Sequence, residues 1–157
     1  MKKAIALTVA LAAGLGLAGC GLFGQPKEAP RGEDGAVIKS ADADITTLKV
    51  GDCTGALPEG ELTSSRLIPC DDPHYWEVFA ETDLPDGEFP ADASEQAETF
   101  CTEAVVPFMG EEAAQDERYG VLFLAPTKDA WDLKDHSVSC LVGTEEGGLT
   151  GSLKVAE

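Results

Sequence analysis

Positive charge is what this sequence has least of: 11 Lys and Arg stand against 29 Asp and Glu in 157 residues, a formal net charge of -18. A surface that neutralises a phosphate backbone concentrates Lys and Arg on the contacting face, so nucleic acid is excluded as a partner. Only two His occur, and none of the five Cys forms a Cys-x-x-Cys pair, which excludes a zinc finger and a thioredoxin-type redox centre. There is no Gly-x-Ser-x-Gly nucleophile elbow and no Asp-x-Asp-x-Asp-Gly calcium loop. Aromatic residues make up 6% of the chain, thin for the stacking platforms of a glycosidase cleft. What remains, with 43% hydrophobic residues at this length, suits one compact domain with an appendage.

A long apolar run occurs once, from Ala4 to Ala18, directly after Lys2 and Lys3. At fifteen residues it is short for a transmembrane helix, which needs about 20, and it reads as an export signal over residues 1–19. It ends in Leu17-Ala18-Gly19-Cys20, which resembles the lipobox of bacterial lipoprotein precursors. That resemblance implies cleavage before Cys20 and diacylglyceryl transfer to its sulfur. The expected location is therefore the extracytoplasmic face of the cell membrane, held by lipid on Cys20. Cleavage removes two basic residues and no acidic one, so the mature chain is repelled by anionic headgroups and its acyl chains must do the anchoring.

Residues 21–44 contain Gly24, Pro26, Pro30, Gly32, Gly35 and five acidic residues with little apolar periodicity. With Cys20 they read as a flexible tether over 20–44, with an r.m.s. reach of about 25–30 Å for a coil. The globular domain is expected over 45–157. Strands are predicted at 45–50, 62–68, 76–82, 119–125, 137–142 and 149–155 from alternation and flanking turn residues. In 76–82, Trp76, Val78 and Ala80 share one face and Glu77, Phe79 and Glu81 the other. Residues 92–109 form the clearest helix. Asp92 and Glu95 supply a capping box, while Ala93, Ala97, Phe100, Cys101, Ala104, Val105 and Phe108 recur at helical spacing. Pro107 is expected to fray or kink the helix before Met109. Strands before and after one long helix predict an α+β fold, a small mainly antiparallel sheet with the helix packed on it.

With Cys20 assigned to lipid, Cys53, Cys70, Cys101 and Cys140 remain, an even number in an exported chain, and two disulfides follow. Three connectivities are open. The preferred pairing is Cys53 with Cys70, closing a local loop, and Cys101 with Cys140, pinning the helix to the strand at 137–142. Each bridge is expected to contribute about 2–4 kcal/mol.

The run Cys70-Asp71-Asp72-Pro73-His74-Tyr75-Trp76-Glu77-Val78-Phe79 resembles the signature of the septum formation domain family of actinobacterial membrane proteins and lipoproteins. Gly51-Asp52-Cys53, Cys101, and Pro126-Thr127 leading to Trp131, Asp135, Val138 and Cys140 fit the same family. The likeness runs from about Val50 to Leu153. Lys134 stands where the family usually shows Gly, and His136 where Arg is common. The resemblance implies a link to septation at the cell envelope and carries over no reaction, cofactor or catalytic residue.

His74 and Glu77, with His136 as a third ligand, are the one metal-like grouping, but residues three apart on a strand point to opposite faces. A structural role for His74 beside the Cys70 bridge is the preferred reading, with no metal site. Glu77 with Asp135 is one of many carboxylate pairs that 29 acidic residues allow, so it singles out no glycan chemistry. Tyr75, adjacent to an inward Trp76, is expected to point outward, and Tyr75, His74 and Trp131 are the candidate binding residues. Glu111, Glu112, Asp116 and Glu117 read as a solvated face. The expectation is a non-enzymatic, lipid-anchored domain without cofactor that binds envelope or division proteins. The alternatives are a metal-dependent or glycan-directed cell-wall enzyme and a sensor of a small envelope ligand.

Overall fold

The computed structural model describes residues 26–60 and 62–156. The export signal and Cys20 lie outside the described residues. No described helix is long and apolar enough to cross a membrane. The elements are β1 (Ala41–Asp44), β2 (Cys53–Thr54), β3 (Ser64–Ile68), β4 (Trp76–Asp83), α1 (Ala93–Met109), α2 (Glu111–Ala114), β5 (Gly120–Leu124), α3 (Lys128–Asp132) and β6 (Ser137–Gly143). The strands form one antiparallel sheet in the order β1-β3-β2-β4-β6-β5. The fold is α+β, as expected: a curled antiparallel sheet with one long helix on it and two disulfides.

Each face of the sheet carries a core. On the helix side, Ala97, Cys101, Val105 and Met109 of α1 pack against Phe79, Val138, Cys140 and Val142. On the other side, Trp76, Val78, Leu67 and Leu141 are joined by Ala43, Leu48, Ala29 and Val37. The alternation along β4 reverses part-way. Val78 faces Leu141 and Ala80 faces Cys140, leaving Phe79 as a bulge. The extra residue turns Ala80 onto the helix side, with Phe79, instead of the face of Trp76 and Val78 expected from strict alternation.

Both preferred disulfides form. Cys53–Cys70 closes a loop between β2 and the turn after β3, and Cys101–Cys140 ties the buried face of α1 to β6. At Gly143 the β4 backbone comes so close that a Cβ would lie 2.0 Å from the Tyr75 carbonyl oxygen, so only glycine fits.

Several local expectations are corrected. The strand predicted at 45–50 is a 3-10 turn at Ile45–Thr47, and the strand lies earlier, at Ala41–Asp44. Side chains capture the backbone here: Thr47 Oγ1 donates to the Asp44 carbonyl at 2.7 Å and Lys49 N–H donates to Asp52 Oδ2 at 2.9 Å. The strand predicted at 149–155 reduces to one bridge between His74 and Leu149. Beyond it, Leu153 N–H is taken at 2.7 Å by the Glu77 carboxylate, so no ladder forms there. Asp92 does not cap the backbone of α1; its carboxylate accepts from Gln96 Nε2 at 2.9 Å. The helix also runs through Pro107 to Met109. Met109 is buried at its end, and the Phe108 carbonyl receives Val155 N–H at 2.9 Å.

The tether expected over 20–44 is interrupted by structure from residue 26 on. Ala29, Val37 and Ala43 are buried, and Arg31 and Val37 form a β-bridge. The Arg31 guanidinium grips Asp52 with both oxygens, at 2.6 and 2.7 Å, and also donates to the carbonyls of Gly35 and Thr47. The Asp52 hydrogen bonds raise the affinity of Arg31 for its proton, against the opposing effect of burial. Composition resembled a spacer because a bidentate ion pair and three small or β-branched side chains, not a periodic pattern, hold this stretch down.

Candidate functional site

The curl of the sheet brings its two ends to a common opening. Asp44, Ile45 and Thr46 at the end of β1, Leu62 and Thr63 before β3, and Phe123 and Leu124 of β5 line one groove of about 730 Å³, bordered by Asp129 and Ala130 of α3 and by Leu133 just after it. Ser137 and Ser139 of β6 and Asp135 complete its side. That volume is within the range of small-molecule pockets, but the groove is open along its length.

Its lining is one-signed. Among the described residues, Asp44, Asp129 and Asp135 line it and no Lys, Arg or His does. Two of these carboxylates are held in place: Asp44 Oδ2 accepts Lys27 N–H at 2.8 Å, and Asp135 Oδ1 accepts Ser137 N–H at 3.1 Å and Ser137 Oγ–H at 2.6 Å. Leu133, 83% exposed, stands on the rim as an uncovered apolar side chain. The surface suits a ligand both cationic and apolar.

The short α3 is placed by its ends. Thr127 caps it, its Oγ1 accepting Ala130 N–H at 3.1 Å. At the other end Asp135 N–H donates to the Ala130 carbonyl at 3.0 Å and Lys134 N–H to the Trp131 carbonyl at 2.9 Å, the two bonds of a Schellman turn. That turn needs a left-handed residue, and Lys134 supplies it at φ 70°, the one non-glycine with positive φ among the described residues. Gly is usual here in the resembled family, and the turn keeps its geometry without it.

The candidate binding residues fall elsewhere. His74 is fully buried; its Nδ1–H donates to the Asp72 carbonyl at 3.0 Å and its backbone exchanges two hydrogen bonds with Leu149, so it braces a loop, the structural role preferred for it, and offers no face to a partner. Trp131 is buried too, with Nε1–H donating to the Gly87 carbonyl at 3.0 Å and its ring stacked on His136 at 3.8 Å. Tyr75, expected to project outward, is half-buried with its ring against Gly147, where a Cβ would come within 2.6 Å of it. All three are withdrawn into packing because each lies where two segments cross.

The same geometry separates the metal-like grouping. His74 precedes β4, whereas the His136 carbonyl accepts Leu84 N–H just beyond its far end, and eight strand residues span about 26 Å. His136 Nδ1 lies 3.2 Å from Asp86. Glu77 is buried and committed to Ser152 Oγ–H at 2.6 Å and Leu153 N–H at 2.7 Å. Among the described residues, no three His, Cys, Asp or Glu side chains gather as metal ligands would.

A model of one protein family, described as septum formation, matches residues 11–145. The chain belongs to the septum formation family. No curated protein and no solved structure matches it significantly. Family membership suggests a role in cell division or the envelope. The family-like residues divide between framework and groove. Cys53, Cys70, Cys101, Cys140 and Trp131 build the framework, while Pro126, Thr127 and Asp135 line the groove. Sequence reasoning missed Asp44, Ile45, Leu62, Phe123 and Asp129 as groove residues. Only the Thr127 cap signal, followed by Asp129 in the first helical turn, was open to local reading.

Proposed function

We propose that this septum formation protein is a non-enzymatic binding module, anchored on the extracytoplasmic face of the cell membrane by lipid on Cys20, and that its acidic, apolar groove holds a protein of the envelope or division machinery. The groove carries this reading: it combines an exposed Leu133 and half-buried apolar side chains with carboxylates of one sign, the composition of a recognition surface. Its hydroxyl groups, from Thr46, Thr63, Thr127, Ser94, Ser137 and Ser139, have no imidazole among the lining residues to activate them, which supports binding over acyl transfer.

Placement supports the same reading. Lys27, directly after Pro26, exchanges two backbone-anchored hydrogen bonds with Asp44 of the groove, each 2.8 Å. Six peptide units from Cys20 to Pro26 reach at most about 20–22 Å. A lipid on Cys20 therefore holds the groove close to the bilayer, nearer than the full 20–44 tether would.

A fluorescent fusion that matures in an oxidising compartment tests this in growing cells. Enrichment at the division site with Cys20, lost together with membrane fractionation in Cys20→Ala, is the expected result. An even peripheral signal refutes the septal role, and membrane association that survives Cys20→Ala refutes the lipid anchor.

A further inference from the structure

We propose that the groove receives an extended segment of a partner protein as an added strand on the outer edge of β5, with Lys or Arg side chains alternating with apolar ones. This deepens the binding reading above and rests on it.

The two ends of the sheet are treated differently. The outer side of β1 is closed by the chain's own N-terminal segment, since Asp44 N–H donates to the Lys27 carbonyl and Lys27 N–H to the Asp44 carboxylate. Among the described residues, β5 has β6 on one side and no strand on the other, and residues 121–124 make no backbone hydrogen bond beyond that ladder. An unpaired edge presents a row of N–H and C=O groups, which proteins usually cover, twist away or charge. Here Val121, Leu122, Phe123 and Leu124 are all apolar, so the edge lacks the charged residues that discourage pairing. It is instead the template used in strand addition, where main-chain bonds supply affinity and alternate side-chain positions supply selectivity.

The groove opens at the end of this edge, where Phe123 and Leu124 of β5 share its apolar lining with Ile45 and Leu62. Side chains of an added strand alternate between the sheet's two faces, so apolar groups on one face reach this floor. Long cationic side chains can lay their stems on the rim at Leu133 and place their charges near Asp129, Asp135 and Asp44. Charge also selects among occupants. A second copy of this chain, at a net -18, brings like charge to a groove that already holds three carboxylates, and an anionic wall polymer does the same.

The test titrates the full-length lipidated protein, in neutral detergent micelles, with a fluorescent nine-residue peptide of alternating Val and Lys. Three comparisons accompany it: the peptide with Glu in place of Lys, the peptide N-methylated at alternate amides along one edge, and the protein variant Asp129→Lys. Asp129 is exposed in the first turn of α3, so the variant keeps the fold. Saturable binding of the Lys peptide is expected, weakening as salt rises, about tenfold weaker with Asp129→Lys, and lost with Glu or with N-methylation. Hydrogen exchange at the amides of 121–124 should slow in the complex. No binding, equal binding of the N-methylated peptide, or unchanged exchange at β5 overturns strand addition. Binding indifferent to Asp129→Lys and to Glu overturns the charge selection. Setting the titration beside the localisation of the Cys20 fusion separates the failures: peptide binding by a protein whose Cys20 fusion shows no septal enrichment refutes only the localisation, and septal enrichment of that fusion without peptide binding refutes only the groove.

Discussion

Replacing Arg31 with Met tests whether residues 26–40 belong to the fold or merely lie on it. Arg31 and Asp52 are 12% and 2% exposed at their side chains, and their two contacts, at 2.6 and 2.7 Å, are short and parallel. Met keeps most of the apolar stem and removes the guanidinium, leaving Asp52 buried with the Lys49 N–H as its remaining partner. Breaking one side of a buried pair costs about 3–5 kcal/mol, because the surviving charge has neither water nor partner. The Lys49 hydrogen bond and the small residual exposure of Arg31 place the expected loss near the lower end, about 3 kcal/mol. The double variant Arg31→Met, Asp52→Leu should recover much of that loss, since an apolar pair of similar size removes the stranded charge. Urea unfolding of all three variants measures the coupling, and hydrogen exchange follows Gly32 and Ile38, whose amides bond to Ala36 and Pro30 within the segment. A loss below about 1 kcal/mol for Arg31→Met, with those amides exchanging at coil rates in the parent protein, would show that the segment is a tether after all.

Other outcomes follow from the same structure. Removing the Cys101–Cys140 bridge as a double Ala variant should cost about 4 kcal/mol against about 3 kcal/mol for Cys53–Cys70, because the sequence separations closed are 39 and 17 residues; equal midpoints in urea would contradict the loop-closure account. Lys134→Gly should raise stability by about 0.5–1 kcal/mol, the left-handed strain relieved less the added freedom of glycine when unfolded; calorimetry showing a lower Tm would mean that the Lys134 side chain supports the turn. The Asp116 carboxyl, held down by the Arg118 guanidinium and backbone, should titrate at about 2 by NMR and return toward about 3.9 in Arg118→Gln. With a folded value below the unfolded one, its small stabilising effect is present above about pH 4 and is lost as pH falls toward 2. An ordinary midpoint in the parent protein would show that this exposed pair does not persist in solution.

Sequence alone determined those features that short-range chemistry and counting control. The helix at 93–109 was legible because its apolar residues repeat at its own period, and β3, β4, β5 and β6 because alternation and flanking turns bound them. Four exported Cys implied two bridges, and the run from Cys70 to Phe79 pointed to the family. What depended on groups distant along the chain was not legible. The segment at 26–40 is held by Asp52, the C-terminal residues by Glu77, Tyr75 packs on Gly147, and the Trp131 indole N–H is taken by the Gly87 carbonyl. No local pattern encodes a partner that far away. The groove is the extreme case. Asp44, Leu62, Phe123 and Asp129 have nothing in common along the chain, and they meet only because the order β1-β3-β2-β4-β6-β5, with its bulge at Phe79, belongs to a sheet that curls until both its ends line one opening. Side-chain periodicity sets which face of a strand is buried; the curvature of the assembled sheet decides which strand ends become neighbours.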